Sequence, residues 1–422
     1  MNHNALNVIQ DKRLVGQLGV EDGCWQFTYD DIWLRAEIYA PSLSPTLAKR
    51  KQPFVDTAQD KPVQDFFENM LPDGSMRTLM SEVRGHSDSF SLLLSMGHDL
   101  PGSLSLELKE KKRVDDPDVC RLSVGAFPNM LDFPALVGKS GVAPGGQMKL
   151  SADAYGTVLT TLNSSRASRV IIKAGSVGQP EGDNRQVLNE WYCTRLAKAI
   201  GFDTNYFQVS RLFGGSMIIR RFDRMRKGTK IDRLPVINGC QALGVAQQGS
   251  SEHLTAPSLN KLAQLTSQPN KTLRRLFAWV CYNAMIGNSD IELNDLSFSM
   301  SVDESRAMML SLLPVYDLSS NLDEPGKPAK AAVFRGRDLK SITFDDILDI
   351  ADDMNYNTET AHVDFESILL SAKDALKTMG AELEKEVNLL PRYEGIHLGE
   401  PECAYLRSVG SSIEKQIDRL VA

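Results

Sequence analysis

The chain has 422 residues, of which 42% are hydrophobic and 24% are charged, and its formal net charge is −7. This is an ordinary composition for a globular protein of two or three domains. The acidic balance excludes a general electrostatic attraction to nucleic acid or to an anionic membrane surface. A local basic patch is still compatible with it.

Cysteine use and hydropathy indicate a cytoplasmic protein. The six cysteines show no CxxC spacing, so we expect reduced thiols rather than disulfides or a zinc site. The first residues lack the apolar core of a signal peptide, and no apolar run approaches the ~18 residues of a membrane span. We therefore expect neither a membrane segment nor a membrane partner.

Three units are predicted in chain order: a small mixed domain over residues 1–108, a β-rich lobe over 109–245 and a helical lobe over 246–422. In the first unit, residues 24–29 alternate between apolar and polar side chains, as a half-buried strand does. Residues 64–83 carry apolar pairs at helical spacing, interrupted by one Pro-Asp-Gly turn.

A glycine-rich hairpin is predicted within SGVAPGGQMK, residues 140–149. Pro144, Gly145 and Gly146 separate two strand-like pieces, and the backbone N–H groups of such a turn can surround a phosphate. The pattern is not the GxxxxGK[ST] of a Walker A loop. An ordinary glycine-rich turn is the alternative interpretation.

The next feature is a lysine at the end of a strand, followed by a helix that carries a glutamate. Residues 168–173 (SRVIIK) are apolar and end in Lys173, and residues 186–200 form an amphipathic helix that contains Glu190. One face of this helix is apolar: Leu188, Tyr192, Leu196 and Ala199. A strand lysine and a helix glutamate position nucleotide phosphates in protein kinases. The spacing alone does not show that the two side chains meet.

Residues 287–299 (GNSDIELNDLSFS) hold carboxylates that we consider for catalysis. They follow a helical pattern within residues 258–286 that Gly287 can end. Asp290 and Asp295 lie in the loop, and Asp317 ends an apolar run after a strand-like LSFSM. If a hairpin brings these acids together, one can accept a hydroxyl proton while two hold Mg²⁺ against phosphates. A turn-forming or capping role for each aspartate is the alternative.

After Asp317 the sequence is mostly helical, with apolar periodicity in residues 344–354, 363–379 and 413–421. The order is therefore a small mixed domain, a strand-rich lobe and a helical lobe. A nucleotide would lie between the two lobes, where clefts commonly hold ligands.

Several strings of this sequence occur together, and in the same order, in one protein family. They are FFENMLPDG, MGHDLPGSL, SGVAPGGQMK, VIIK, NEWYC, RRFDR, CQALG, GNSD and PVYDLSS. Over about residues 7–420 the chain resembles the HipA-like serine/threonine kinase toxins of bacterial toxin–antitoxin systems. The resemblance implies an α+β, two-lobed, protein-kinase-like fold. Its parts would be a small N-terminal mixed subdomain, a β-rich N-lobe and an all-helical C-lobe.

The resemblance also implies which residues bind ATP and Mg²⁺. The nucleotide-binding residues would be Gly145, Gly146, Gln147, Lys149, Lys173, Glu190, Arg220, Arg221, Phe222 and Gln241. Among these, Lys173 would bind the phosphates with Glu190 as its helix partner, and residues 220–222 would line the adenine hinge. Asp290 would position the substrate hydroxyl as the base, and Asp295 and Asp317 would be the magnesium ligands.

The catalytic loop departs from the family pattern D-[AG]-H-x-K-N. Glu292 stands in place of the histidine, Asn294 in place of the lysine and Asp295 in place of the metal-binding asparagine. If the loop is shifted by one residue, Asn294 takes the asparagine's place instead. Two added acids and a lost lysine make the site more negative, which strengthens metal binding but repels phosphate.

Two further positions differ from the family. Arg220 stands where the family has a hinge glutamate. Val142 aligns with the serine that the family autophosphorylates, and Ser140 lies two residues earlier.

The activity implied by the resemblance is ATP- and Mg²⁺-dependent phosphorylation of a protein, with an aminoacyl-tRNA synthetase as the expected substrate. The implied partner is a small helix-turn-helix (HipB-like) antitoxin dimer, through which operator DNA would mainly be contacted. The altered loop leaves a second hypothesis, a pseudokinase that keeps the fold and acts as a binding module. A kinase for a small molecule is a third, against which the N-terminal subdomain argues.

Overall fold

The computed structural model describes residues 5–36, 40–109, 120–123, 136, 148–155, 158–161, 168–174, 184–210, 215–228, 230–303, 307–323, 329–385 and 398–421. The predicted glycine-rich hairpin, with Gly145, Gly146 and Gln147, lies outside the described residues, as do Ser140 and Val142.

The first part of the chain forms a five-stranded antiparallel sheet covered by short helices. The strands are β1 (Leu6–Gln10), β2 (Arg13–Glu21), β3 (Cys24–Tyr29), β4 (Phe54–Val55) and β5 (Leu104–Leu108), in the order β4-β3-β2-β1-β5. The helices are α1 (Asp31–Arg35), α2 (Pro62–Glu68), α3 (Gly74–Arg84) and α4 (Ser89–Met96). The predicted strand at 24–29 is confirmed, and the Pro-Asp-Gly sequence separates α2 from α3 as expected. Phe27, Phe67 and Leu93 are fully buried between the sheet and the helices.

A six-stranded antiparallel sheet and one long helix follow. The strands are β6 (Cys120–Ser123), β7 (Lys149–Tyr155), β8 (Val158–Thr161), β9 (Val170–Ala174), β10 (Phe207–Ser210) and β11 (Ser216–Arg220), in the order β10-β11-β9-β7-β8-β6. The helix α5 (Arg185–Ala199) confirms the periodicity prediction, and Leu188, Tyr192 and Leu196 are buried. Ala199, the last residue of α5, is exposed, contrary to the prediction.

The remaining part is mainly helical. A β-ribbon, β12 (Arg224–Lys227) and β13 (Lys230–Arg233), leads to a three-stranded sheet of β14 (Val236–Asn238), β15 (Ser297–Val302) and β16 (Met308–Leu312). The helices are α6 (Gly239–Leu243), α7 (Ser250–His253), α8 (Ala256–Gln264), α9 (Pro269–Ile286), α10 (Phe344–Asp353), α11 (Thr358–Lys385) and α12 (Glu400–Val421). In the part of the C-terminal lobe that the structure describes, the hairpin β15–β16 stands beside helices, and the alternation in LSFSM predicted its first strand.

Helix α9 forms the centre of this lobe. Leu273, Phe277, Val280 and Ala284, which recur at the helical spacing i, i+4, i+7 and i+11, are all buried. The predicted helical stretch over 258–286 is divided into α8 and α9, because the residue before Pro269 is disfavoured in the helical conformation. Among the described residues, no helix is long and apolar enough to cross a membrane.

Candidate active site

Two lysines stand opposite each other on neighbouring strands. Lys149 in β7 and Lys173 in β9 are register partners in an antiparallel pair. Opposed residues of such a pair project to the same face of the sheet, so both ammonium groups are directed to one place. Two like charges in this position are unfavourable by themselves, and the arrangement therefore needs an acid between them.

Two carboxylates meet the Lys173 ammonium group. The Nζ atom of Lys173 lies 2.5 Å from Oδ1 of Asp317 and 2.5 Å from Oε1 of Glu190 in α5. The Nζ atom of Lys149 lies 3.7 Å from the second Asp317 oxygen. Lys173 and Glu190 are 4% and 2% exposed, whereas 29% of the Asp317 side chain is exposed. The strand lysine and the helix glutamate thus meet, and Asp317 forms the open side of the cluster.

The protonation states follow from these contacts. Burial by itself would lower the pKa of Lys173, but the charges of Asp317 and Glu190 outweigh it and raise that pKa. Burial would raise the pKa of Asp317, yet Lys173 and Lys149 hold it well below its usual range. Burial raises the pKa of Glu190 despite the opposing charge of Lys173. At neutral pH the cluster therefore contains an ammonium group facing the ionised carboxylate of Asp317.

The backbone at Asp317 is held in an uncommon conformation. Its φ of 59° lies in the left-handed region, which few residues other than glycine adopt. The Nδ2 atom of Asn288 donates to the Asp317 carbonyl oxygen at 3.2 Å. The side chain of Asn189 exchanges two hydrogen bonds, of 2.7 and 2.8 Å, with the backbone of Ser320. Strained residues of this kind cluster at functional sites, where surrounding contacts hold them in place.

Gly287 positions the loop that contains Asp290. It ends α9 in the left-handed conformation, and a Cβ atom added there would lie 2.3 Å from Cδ2 of Leu322. Glycine is therefore required both for the turn and for the close approach of the segment that follows Asp317. Beyond it, the Asp290 side chain is 43% exposed, and its Oδ1 atom lies 2.9 Å from Nζ of Lys330.

The altered residues of the loop are bound within it. Glu292 precedes the 3-10 turn Leu293–Asp295, its Oε2 atom accepts from Oγ of Ser250 at 2.9 Å, and its backbone N–H donates to Asp295 at 2.8 Å. The Asn294 carbonyl accepts from the Tyr316 hydroxyl at 3.0 Å. Burial raises the pKa of Glu292, and burial together with the charges of Asp317 and Glu292 raises that of Asp295. Asp295 therefore lies within electrostatic reach of Asp317.

The predicted hinge residues divide into two groups. Phe222 packs on Tyr316, with ring centroids 5.8 Å apart, so the chain after β11 reaches the segment that carries Asp317. Arg220 is exposed at the end of β11. The Arg221 guanidinium group is buried and donates to Asp223 at 2.9 and 2.7 Å and to Ser168 at 2.8 Å. A place for residue 221 in the adenine hinge stays a prediction.

Gln241 is bound at the start of α6. Its Oε1 atom accepts from the backbone of Asn238 at 3.0 Å, closing a capping box at the start of α6. Its Nε2 atom donates to the Phe66 carbonyl oxygen at 2.9 Å. The side chain is buried and joins α6 to the N-terminal domain. A nucleotide contact of Gln241 stays a prediction.

The donor set fits a nucleotide with a divalent cation. Lys149 and Lys173 supply the positive charge that phosphates require, and Asp317 presents carboxylate oxygens on the exposed side. Among the described residues, no group of three or more His, Cys, Asp or Glu side chains could hold a metal ion by itself. Mg²⁺ is bound by one or two carboxylates together with substrate phosphates and water, which Asp317 and Asp295 can provide.

Sequence reasoning did not identify Asn189, Asn288, Ser250 or Lys330 as part of this site. Asn189 and Asn288 lie inside the strings NEWYC and GNSD, so their position next to Glu190 and Asp290 was an available signal. Ser250 and Lys330 lie in other segments and carry no local pattern that points to the loop.

Family models match both parts of the chain. The model described as HipA N-terminal domain matches residues 6–107, and the model described as HipA-like C-terminal domain matches residues 141–380. The second match alone covers more than half of the 422 residues. The chain belongs to the HipA-like family.

Two known proteins show the extent of the similarity. "Putative kinase Y4dM" of Sinorhizobium fredii (strain NBRC 101917 / NGR234) is 26% identical over 423 residues, covering 91% of this chain and 93% of that protein. A chain in the solved complex of HipA, HipB and operator DNA from the Shewanella oneidensis MR-1 toxin–antitoxin system superposes with a TM-score of 0.79. Its sequence identity is 18%, over 99% of this chain and 97% of that chain. The HipA-like α+β fold is thereby confirmed.

Proposed function

We propose that this protein is an ATP- and Mg²⁺-dependent serine/threonine protein kinase and the toxin of a toxin–antitoxin pair. The observation that carries the proposal is the position of Lys173, whose Nζ atom lies 2.5 Å from both Glu190 and Asp317. A strand lysine held by a helix glutamate, beside an aspartate that can bind metal, is the arrangement that phosphoryl transfer uses in protein kinases. The relative named as a kinase supports the same activity.

Each residue of the cluster has a defined role in this mechanism. Lys149 and Lys173 bind the phosphates of ATP, and Glu190 holds the Lys173 side chain in place. Asp317 and Asp295 hold Mg²⁺, with Asn294 as the alternative to Asp295. Mg²⁺ held by these residues would supply positive charge against the phosphates of ATP. Asp290 orients the substrate hydroxyl group and accepts its proton.

The family also supports proposals for the partners. The similar Shewanella chain was solved together with HipB and operator DNA. We therefore propose a small helix-turn-helix antitoxin dimer as the partner, with operator DNA contacted mainly through it. We propose a serine of an aminoacyl-tRNA synthetase as the protein substrate.

A pseudokinase is the second candidate, and the loop carries the observation that favours it. Asp290 is bound by Lys330 at 2.9 Å, and Glu292 is bound by Ser250 at 2.9 Å. A loop whose acids are held by other groups could bind nucleotide without transferring its phosphate. In that case the protein acts by holding a partner.

Asp290→Asn separates these candidates. Because the Asp290 side chain is 43% exposed and absent from the core, we expect the variant to fold and to bind Mg-ATP but to lose phosphoryl transfer by about 100-fold or more. The measurement is transfer of label from ATP to proteins of a cell extract, and Asp374→Asn, an exposed aspartate of α11, is the matched control. Equal labelling by the wild type and Asp290→Asn would remove Asp290 from the mechanism. A wild type that binds ATP without labelling any protein supports the pseudokinase.

A further inference from the structure

Lys330 is held beside the catalytic loop by its backbone as well as by its side chain. Its backbone N–H donates to the Ser289 carbonyl oxygen at 3.0 Å, next to Asp290 in the loop. The neighbouring residue Ala331 is fully buried, and Val333 donates its N–H to the Leu254 carbonyl oxygen at 2.7 Å. The backbone that carries the Lys330 side chain is therefore held beside the loop, although 62% of that side chain is exposed.

The loop itself supplies acids at this point and no cation. Asp290 and Glu292 are acidic, and position 294, where the family pattern has a lysine, is asparagine. Lys149 and Lys173 are both engaged by Asp317 on the other side of the cluster. A terminal phosphate that approaches Asp290 would thus meet negative charge unless another cation accompanies it.

We propose that Lys330 is the cation that the loop lacks: it holds Asp290 in the free protein and accompanies the terminal phosphate of ATP when the nucleotide is bound. This inference rests on the proposed function, because it assumes that the cleft binds ATP. It adds a phosphate-recognition residue that comes from a different segment than the catalytic loop.

The inference predicts selectivity between ATP and ADP, which differ by the terminal phosphate. Lys330→Met should weaken binding of Mg-ATP by about tenfold, the loss expected for one charge-assisted hydrogen bond, and leave the affinity for Mg-ADP unchanged within about twofold. Lys330→Arg should keep the preference for ATP. Lys340→Met, at an exposed lysine of the same region, is the control and should leave both affinities unchanged. Titration calorimetry of the wild type and of the three variants with Mg-ATP and Mg-ADP gives four ratios of the ATP affinity to the ADP affinity.

The possible results separate the inference from the proposed function. Equal affinities of the wild type and Lys330→Met for ATP would overturn the inference and show that the Asp290–Lys330 pair is only an exposed ion pair, a type of contact that contributes little. Equal loss of ATP and ADP binding would show a structural role and overturn it as well. A wild type that binds neither nucleotide would overturn the proposed function, and the inference with it. A wild type that binds ATP without transferring phosphate would refute the kinase, while the ATP-to-ADP ratio would still decide the role of Lys330.

Discussion

Lys173 shares one ammonium group between two carboxylates that come from different parts of the chain. Glu190 approaches from α5 and Asp317 from the segment after β16, and each lies 2.5 Å from the lysine Nζ atom. Charged groups this deeply buried are tolerated only when their partners are present, since the loss of solvation is otherwise uncompensated. The same contacts therefore serve stability and the proposed binding of phosphate.

Lys173→Met tests both roles at once. We expect it to abolish Mg-ATP binding and to lower the free energy of unfolding by about 3–5 kcal/mol, because Glu190 is left buried without its cation. The double variant Lys173→Met with Glu190→Gln should regain part of the stability but none of the binding. Denaturant unfolding and calorimetric titration measure the two quantities, with Lys340→Met as the control. A single variant as stable as the wild type would contradict the assigned contact.

Neighbouring carboxyl groups on and near helix α2 make the stability of the protein depend on pH. Asp65 lies on this helix near Asp56, whose carboxylate accepts the N–H groups of Val63 and Gln64 at 2.9 Å each. Burial, together with the charges of Asp56 and Glu68, raises the pKa of Asp65 to about 6. The folded state therefore binds this proton more tightly than the unfolded state, in which the pKa is near 3.8.

Asp65→Asn should consequently stabilise the protein in a pH-dependent way. The contribution of Asp65 is fully present below pH 3.8 and is lost as the pH rises through about 6. At pH 8 we expect the asparagine variant to be more stable than the wild type by roughly 1–2 kcal/mol, allowing for partial solvent screening, with little difference at pH 4. Urea unfolding at both pH values measures this, with Asp374→Asn as the control. A gain that is equal at both pH values would rule out the titration of Asp65 as its cause.

The strings that carry the family resemblance meet in pairs across the fold. Asn189 of NEWYC binds the backbone of Ser320 in PVYDLSS, and Gln241 of CQALG binds the backbone of Phe66 in FFENMLPDG. Each pair joins elements that are distant in sequence. These four strings therefore supply contacts between elements that are far apart in the sequence.

A buried ion network joins the N-terminal domain to the β-rich lobe and organises the molecule as a whole. Asp99 accepts from Nη2 of Arg224 at 2.9 Å and from the hydroxyl group of Ser168. Arg221 lies 3.5 Å from Asp99, and Asp223 accepts from both arginines. Burial would raise the pKa of Asp99, but the arginines hold it well below its usual range. The domains are therefore connected by charges that water does not reach.

Asp99→Asn should weaken the contact between the N-terminal domain and the β-rich lobe and lower the free energy of unfolding. The variant leaves the buried guanidinium groups of Arg221 and Arg224 with Asp223 as one shared carboxylate in place of two, and we expect a loss of about 3–5 kcal/mol in the free energy of unfolding. Because the folded pKa of Asp99 is lowered, its contribution is present above pH 3.8 and is lost only as the pH falls below that value. Thermal unfolding at pH 7 measures the loss, and Asp374→Asn should behave as the wild type. Unchanged stability at pH 7 would show that the network contributes nothing net.

Local side-chain periodicity was enough to predict several helices and strands. Helix α9, strand β3 and the break between α2 and α3 follow from side-chain spacing, from turn residues and from the conformations that proline and glycine allow. The strings that resemble the HipA-like family, in the same order along the chain, also predicted the family and its fold. Each of these signals is local or additive along the chain.

Which charged side chains contact one another could be read only from the tertiary structure. Lys173 contacts Glu190 and Asp317 because strand register and helix packing bring three separate segments together. Lys330 contacts Asp290 from a segment 40 residues later in the chain. Arg221 belongs to the ion network between the N-terminal domain and the β-rich lobe. No local pattern carries this information, because the partner of a buried charge is set by the packing of elements far apart in the sequence and not by neighbouring residues.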